Sequence, residues 1–220
     1  GKDKNKDQSY FLYRLNQAQL SWVIFPLGEM SKDDVKKISK KNKLPNNKNE
    51  SQEVCFLTDD NYRNFLKRHL PKKYFQSGVI VDKNGKKIGR HGGLINYTIG
   101  QRKGINQTGF RDDNKQPLYV IGFNAEKNEL IVGQDKDLLK KEVIVENISW
   151  VSDWAKKKAL ANKNLKARIR YRHNPASCKL RLSSGKLKIS FSISQRAIVP
   201  GQSLVIYCGQ EVLGGGIIVK

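Results

Sequence analysis

The first 70 residues of the chain carry apolar side chains at helical spacing. Residues 7–9 can cap a helix whose apolar positions are Phe11, Leu12, Leu15 and Leu20. Ser31, followed by Asp34, resembles a capping box that opens a second helix reaching Leu44, and residues 58–70 form a third predicted helix. These helices have little apolar surface, so we expect them to pack on a larger body.

Beyond the third predicted helix the pattern changes to strands and turns. Residues 79–81 and Ile88 flank Asn84-Gly85, a dipeptide suited to a tight hairpin turn because both residues accept positive φ. A second hairpin is predicted from residues 119–123 and 130–133. From Val143 onward the chain shows the cadence of short strands separated by turns, which is typical of a small antiparallel barrel. The predicted strands cover residues 146–151, 164–172, 177–182, 186–193, 203–208 and 213–219.

These patterns predict a mixed α and β fold that is mainly antiparallel β. We expect three parts: a short helical part at residues 1–62, a small central β domain at 63–140, and a C-terminal antiparallel β-barrel at 141–220. The hydrophobic share of 38% is low for one large core, which agrees with several small domains.

A net charge of +22 indicates a polyanionic partner, with nucleic acid the leading candidate. In the predicted strand at 164–172 four cations alternate with apolar residues, and they are Lys166, Arg168, Arg170 and Arg172. No acidic residue lies between Lys156 and Arg172, whereas a solvated strand face normally mixes both signs. This stripe suits a phosphate backbone. A basic membrane-surface protein is the competing class, but the sequence has no long apolar run to support it.

The three cysteines, Cys55, Cys178 and Cys208, form no CxxC pair and no cluster with histidine. A disulfide framework and a structural zinc site are therefore not expected. The first residues are polar and charged, without a signal-peptide pattern, so we expect a soluble, reducing compartment. Taken alone, Cys55 fits a buried structural thiol better than a nucleophile, which would need nearby positive charge or hydrogen-bond donors to become a thiolate.

Two glycine-containing segments are further candidates for binding. Gly100 and Gly104 bracket Gln101, Arg102 and Lys103, where close backbone approach and positive charge could serve a phosphate or simply form a solvated basic turn. Residues 200–203 and 213–218 suit turns and close packing in a barrel. Gln202 is the exception, because an amide at such a turn can contact a base or ribose edge.

Six segments, in order along nearly the whole chain, carry a resemblance to the tRNA-specific 2-thiouridylases, which place sulfur on the wobble uridine of tRNA. They are 6–12 (KDQSYFL), 25–28 (FPLG), 51–56 (SQEVCF), 98–104 (TIGQRKG), 200–203 (PGQS) and 213–218 (LGGGII). The chain is similar to roughly the last three-fifths of such an enzyme. The resemblance implies that residues 1–62 are the helical tail of its α/β catalytic domain, with the sulfur-carrying cysteine, and that residues 141–220 are its tRNA-binding barrel. The family's Ser-Gly-Gly-Val-Asp-Ser nucleotide-binding loop and its first cysteine do not occur in this sequence.

The resemblance implies a chemistry and a set of site residues. In such enzymes ATP, with Mg²⁺, adenylates the uracil C2 oxygen, and a persulfide on the cysteine that matches Cys55 delivers sulfur to C2. The matching positions imply tRNA contacts at Lys6, Asp7, Gln8, Arg170, Tyr171 and Gln202. Cys178 and Cys208 match no family motif and are interpreted as structural. Gln101, Arg102 and Lys103 remain plausible phosphate or structural contacts.

The resemblance also implies partners and a location. The expected partners are tRNA and a cysteine desulfurase or sulfur-relay protein, for a monomer without membrane contact. The expected location is the bacterial cytoplasm or an organelle of bacterial origin. Without the adenylating loop, the 220 residues alone are expected to bind tRNA and to catalyse nothing.

Two other classes remain open from the residues. A non-catalytic basic β-barrel module that binds nucleic acid explains the charge and the strand pattern but gives residues 51–56 no purpose. A Cys/His hydrolase explains a reactive thiol but needs a paired histidine, and His69 is the one nearest to Cys55 in sequence.

Overall fold

The computed structural model describes residues 1–45, 62–105 and 117–219. Its contacts divide the chain into two compact units. The barrel unit comprises Gly1–Asn49 and Lys140–Lys220, and the sheet unit comprises Glu50–Leu139. The described N-terminal residues, 1–45, thus belong to the same unit as the barrel. The three-part division expected from the sequence stays a prediction.

The barrel unit contains a closed barrel of six strands, in the order β10-β5-β8-β7-β6-β9. The strands are β5 (Leu139–Trp150), β6 (Leu165–Arg168), β7 (Ala176–Ser183), β8 (Lys186–Arg196), β9 (Ser203–Cys208) and β10 (Glu211–Ile218). Alternate side chains point inward, as the period of a strand requires. The largest fully buried side chains of this interior include Leu165, Leu187, Ile189, Leu204, Ile206 and Leu213. The expected mainly antiparallel fold with a barrel is confirmed.

Helix α4 (Asp153–Ala161) connects β5 to β6 and was not expected from the sequence. The Ser152 Oγ accepts a hydrogen bond from the Ala155 amide at 3.0 Å, which caps the first turn. The helix buries only the small side chains of Ala155 and Ala159, four residues apart. Most of the helix surface is exposed and rich in lysine. The apolar positions are therefore too few to reveal a helix in the sequence pattern.

Strand β6 is shorter than expected: it spans Leu165–Arg168, whereas the predicted strand reached residue 172. The inward alternation nevertheless continues through Leu165, Ala167 and Ile169, which are all buried. After Arg168 the chain bends, so Arg170 and Tyr171 lie in a turn that returns to β7. The cations of the predicted stripe therefore do not share one strand face.

The N-terminal residues form three short helical elements instead of two longer ones. A 3₁₀ helix spans Ser9–Arg14, helix α1 spans Gln17–Leu20, and helix α2 spans Lys32–Lys41. The single helix predicted from residue 7 to Leu20 is interrupted because Leu15 adopts an extended backbone (φ −87°, ψ 131°) and Asn16 caps a new helix.

The predicted capping box of helix α2 is present. The Ser31 Oγ accepts from the Asp34 amide at 3.2 Å, and the Asp34 carboxylate accepts from the Ser31 amide at 3.3 Å. The hydrogen bonds from Ser31 lower the pKa of Asp34. Acidic residues occupy the first turn and lysines the last, as the helix dipole favours.

The sheet unit contains helix α3 (Tyr62–His69) and a sheet of four strands in the order β2-β1-β4-β3. The strands are β1 (Gly78–Asp82), β2 (Lys87–His91), β3 (Tyr119–Asn124) and β4 (Glu129–Gly133). Both predicted hairpins form, and Gly85 adopts the positive φ of 85° expected for the first turn. The pairing of β1 with β4 is parallel, which joins the two hairpins into one sheet. Ile80, Ile105, Val120, Leu130 and Val132 form its core.

Within the described ranges we find no helix with the length and apolarity needed to cross a lipid bilayer.

Candidate nucleic-acid interface

Two tyrosines fix the N-terminal 3₁₀ helix to the outer wall of the barrel. The Tyr10 hydroxyl donates a hydrogen bond to the Ser203 carbonyl oxygen at 2.7 Å, and the Tyr13 hydroxyl lies 3.0 Å from the Ser203 Oγ. Both rings are buried, and they pack with Val205 and Tyr207 of β9. We call Tyr10, Tyr13 and Ser203 the tyrosine anchor. It ties residues 6–8, just before the helix, to the barrel.

Of the apolar positions expected to pack, Leu12 and Leu15 are half-buried, but Phe11 is exposed. The 3₁₀ helix has three residues per turn, so positions three apart, Tyr10 and Tyr13, share the buried face. Phe11 is instead 57% exposed. The spacing of the two tyrosines was the signal that could have identified the face.

The carboxylate of Asp7 binds groups of its own N-terminal segment, residues 1–9. Its Oδ1 accepts a hydrogen bond from the Ser9 amide at 2.8 Å, and its Oδ2 lies 3.2 Å from the amino group of Gly1. Partial burial acts to raise the pKa of Asp7, but the hydrogen bonds from Ser9 and Gly1 outweigh it and lower the pKa. Lys6 and Gln8 on either side are exposed. The side chains of Lys6 and Gln8 therefore lie in solvent on either side of the fixed Asp7.

The half-buried Arg168 packs against the buried Tyr207, which belongs to the same cluster as Tyr10 and Tyr13. The Arg168 guanidinium carbon lies 5.4 Å from the centre of the Tyr207 ring. Burial raises the pKa of Tyr207 to about 12, and that of Tyr10 also to about 12. The Arg168 Nε and the Tyr207 hydroxyl have no hydrogen-bond partner among the described residues. Arg168 thus supports the barrel wall, in contrast to the exposed Lys166.

Arg170 and Tyr171 lie in the turn after β6, beside the N-terminal segment. The Arg170 Nη1 donates to the carbonyl oxygens of Arg196 at 3.3 Å and Ala197 at 3.5 Å, which fixes the side chain against the end of β8. The Tyr171 ring centre lies 4.9 Å from that of Phe11. Gln202 is exposed and immediately precedes Ser203 of the tyrosine anchor. Residues distant in sequence are therefore neighbours on one face of the barrel unit.

The segment with Gln101 forms a fixed turn in the sheet unit. The Gln101 Oε1 accepts from the Thr98 amide at 3.0 Å, and its Nε2 donates to the Lys103 carbonyl oxygen at 2.9 Å. Gly100 and Gly104 adopt positive φ of 89° and 85°, which explains the two glycines. Gln101 therefore has a structural part in this turn, while Arg102 and Lys103 are exposed.

Cys55, the predicted sulfur carrier, lies outside the described residues. Cys178 is buried inside the barrel, and burial raises the pKa of its thiol to about 12. Cys208 is half-buried, and its Sγ accepts from the Asn162 side chain at 3.2 Å. A protonated, buried thiol is a poor nucleophile, so the setting of Cys178 agrees with a structural role.

The histidines of the described ranges give little support to hydrolase chemistry. The His91 Nδ1 accepts from the Gly93 amide at 3.1 Å, and its Nε2 lies 3.0 Å from the Asn128 carbonyl oxygen, so both ring nitrogens are occupied. Burial lowers the pKa of His91 and, together with the charge of Arg170, that of His173. His69 packs against Phe65 with ring centres 4.3 Å apart.

The tyrosine anchor predicts a contrast between two conservative substitutions. Tyr10→Phe removes the hydroxyl that satisfies the Ser203 carbonyl, and we expect a loss of about 1 kcal/mol in the free energy of unfolding of the barrel unit. Tyr207→Phe removes a buried hydroxyl without a described partner, so it should be neutral or stabilising. Urea unfolding of the two variants measures both effects. Equal losses would contradict the assignment of the anchor to Tyr10.

Three family models match consecutive parts of the chain. Residues 1–59 match a tRNA methyl transferase HUP domain, and residues 63–134 match a tRNA methyl transferase PRC-barrel domain. Residues 140–218 match an Aminomethyltransferase beta-barrel domain. The three matches follow one another with short gaps.

Curated relatives are similar over almost the whole chain. A tRNA-specific 2-thiouridylase MnmA of Nitrosomonas eutropha is 43% identical over 99% of this chain and 60% of its own length. That of Ralstonia pickettii is 45% identical over 98% of this chain and 58% of its own length. That of Clostridioides difficile is 40% identical, with the same two shares of 98% and 58%. This chain therefore spans about three-fifths of the length of these relatives, and over that span its sequence is similar to the tRNA-specific 2-thiouridylases.

Proposed function

We propose that this chain is the tRNA-holding and sulfur-carrying part of a tRNA uridine 2-sulfurtransferase. The observation that carries the proposal is the tyrosine anchor, which places exposed Lys6 and Gln8 on the same barrel wall as Tyr171 and Gln202. A net charge of +22 favours a polyanion on this surface. The names of the curated relatives support tRNA as that polyanion.

In the proposed reaction, sulfur replaces the C2 oxygen of the wobble uridine. Cys55 carries the sulfur as a persulfide, so delivery to the bound base is intramolecular. The outer sulfur would displace the adenylated C2 oxygen, which leaves as AMP. The thiol of the family's first cysteine would then cleave the S–S bond and form a disulfide with Cys55. The target base has to leave the anticodon stack to reach a protein-bound sulfur. A cysteine desulfurase or a sulfur-relay protein is the proposed donor to Cys55, and the cytoplasm is the proposed location. A monomer is sufficient for this scheme.

ATP and Mg²⁺ belong to the proposed complete enzyme, but the residues of this chain do not fit them. The sequence has no Ser-Gly-Gly-Val-Asp-Ser loop. Across residues 1–45, 62–105 and 117–219, no three His, Cys, Asp or Glu side chains cluster in a way that could hold a metal ion. We therefore expect the 220 residues alone to bind tRNA without thiolating it.

Two reactions are suggested by the names of similar proteins. The names of the matching domains mention methyl transfer, whereas the names of the curated relatives mention thiolation. Sulfur transfer is favoured over methyl transfer because the segment 51–56 contains Cys55, which can carry sulfur. The mass of the modified nucleoside distinguishes replacement of oxygen by sulfur from addition of a methyl group. The non-catalytic alternative, a basic barrel module, is tested by the reactivity of Cys55 toward a persulfide donor: a thiol that accepts no sulfur would favour the module.

Replacement of Arg170 tests the barrel wall as a phosphate-contacting surface. Arg170→Ala is expected to weaken tRNA binding several-fold and to reduce the slope of log K against log salt concentration by about 1, because one phosphate contact is lost. Lys188→Ala is the matched control, since it removes the same charge from β8, where Lys188 pairs with Glu142 at 3.0 Å. A slope that Arg170→Ala leaves unchanged would count against the contact.

A further inference from the structure

Phe11 is an exposed aromatic side chain held in one orientation by its neighbours. Its ring is 57% exposed, although Tyr10 and Tyr13 on the same helix are buried. The Tyr10 ring meets it edge-on, with ring centres 5.2 Å apart and planes at 89°. The Tyr171 ring centre lies 4.9 Å from that of Phe11, with planes at 36°, and 6.0 Å from that of Tyr10, so the three rings form one cluster. Tyr10 is in turn fixed by the Ser203 carbonyl, so the position of Phe11 is determined by the barrel.

The surroundings of this ring are polar and positively charged. Lys6 and Gln8 precede it and are exposed, and the Lys4 Nζ donates to the Gln210 Oε1 at 2.9 Å. Asp7, the nearest carboxylate in sequence, accepts hydrogen bonds from its own segment. An exposed Phe is unremarkable by itself. A fixed aromatic face beside phosphate-directed cations is the arrangement with which proteins bind unpaired RNA bases.

We propose that Phe11, backed by Tyr171, is a stacking platform for one unpaired nucleobase of the bound RNA. This inference rests on the proposed function, and it adds a base-stacking contact at Phe11, which was not among the tRNA contacts expected from the sequence. Stacking uses the π-face that every base has, so the platform holds the RNA without selecting a sequence. Phosphate contacts from Lys6 and Arg170 then set the register of the strand.

The test is tRNA binding by the full 220-residue chain across a salt series. Phe11→Ala is expected to weaken binding about tenfold, the effect of one lost stacked base, while the salt slope stays unchanged because no phosphate contact is lost. Phe11→Tyr should bind as the parent does. Phe11→Leu, which keeps apolar surface but no ring, should be weakened like Phe11→Ala. A fully paired RNA duplex offers no unstacked base, so its affinity should not change.

Trp154→Ala is the matched control, because Trp154 is 58% exposed on helix α4 of the same unit. It should leave tRNA affinity unchanged. Equal tRNA binding by Phe11→Leu and the parent chain would overturn the platform and leave the proposed function standing. Self-association of the parent chain that Phe11→Ala abolishes would assign the ring to a protein interface and overturn it as well. A parent chain that binds no tRNA would overturn both.

Discussion

Replacement of Cys55 by serine in the complete enzyme is expected to abolish thiolation of tRNA and to leave tRNA affinity unchanged. A serine hydroxyl cannot carry sulfur as a persulfide, so the covalent route to the uridine is lost rather than slowed. The product is measured as 2-thiouridine in digested tRNA, and tRNA affinity is measured in parallel. Loss of activity with intact binding separates sulfur transfer from RNA recognition.

Cys208→Ser is the control for this experiment. Cys208 is half-buried and its sulfur accepts a hydrogen bond from Asn162, which a serine oxygen can also accept. Thiolation should therefore survive this substitution. Retained thiolation by the Cys55→Ser enzyme would show that Cys55 takes no part in sulfur transfer. Loss of thiolation in both variants would show that the substitutions act through misfolding of the enzyme.

Gly215→Ala is expected to destabilise the barrel unit by about 3 kcal/mol, because its strand has no room for a methyl group. A Cβ at this position would overlap the Leu204 carbonyl oxygen of β9 and lie 2.8 Å from the Tyr13 Cδ2. The carbonyl belongs to the β9–β10 pairing and cannot move without opening the barrel. Gly215 thus allows the tyrosine anchor to approach the wall. The three tryptophans, Trp22, Trp150 and Trp154, all lie in the barrel unit and report its unfolding in urea.

Gly185→Ala provides the comparison for Gly215. Gly185 lies between β7 and β8 with a φ of +73° and open space around the position of a Cβ, so alanine there meets only backbone strain, about 1 kcal/mol. If Gly215→Ala cost no more than Gly185→Ala, close approach of Tyr13 and Leu204 would not be the reason for the glycine.

The sequence predicted those elements whose determining residues lie within a few positions of one another. The Ser31 and Asp34 capping box and the Asn84-Gly85 turn both form, because each depends on hydrogen bonds and φ values of its own residues. Alternation correctly placed Leu165 and Ala167 inside the barrel. The end of β6 could not be predicted, because apolar alternation continues to Ile169 although strand pairing stops at Arg168.

The arrangement of the candidate interface could be predicted only in part. Exposure of Lys6 and Gln8 follows from their chemistry. The place of the following helix, with Phe11 beside Tyr171, depends on a contact between Tyr10 and Ser203, 193 residues apart. No local pattern reports such a pairing. The exposed position of Phe11 was missed for a related reason: an α-helical period was assumed where the chain forms a 3₁₀ helix.

Amide hydrogen exchange of the chain with and without tRNA tests the central claim, that the N-terminal residues and the turn after β6 form one RNA-binding face. The account predicts tRNA-dependent protection of residues 2–12 and 169–173 together. It predicts none in the β7–β8 hairpin, whose Lys186 and Lys188 pair with Glu146 and Glu142. Protection confined to that hairpin, with residues 2–12 and 169–173 unchanged, would contradict the account.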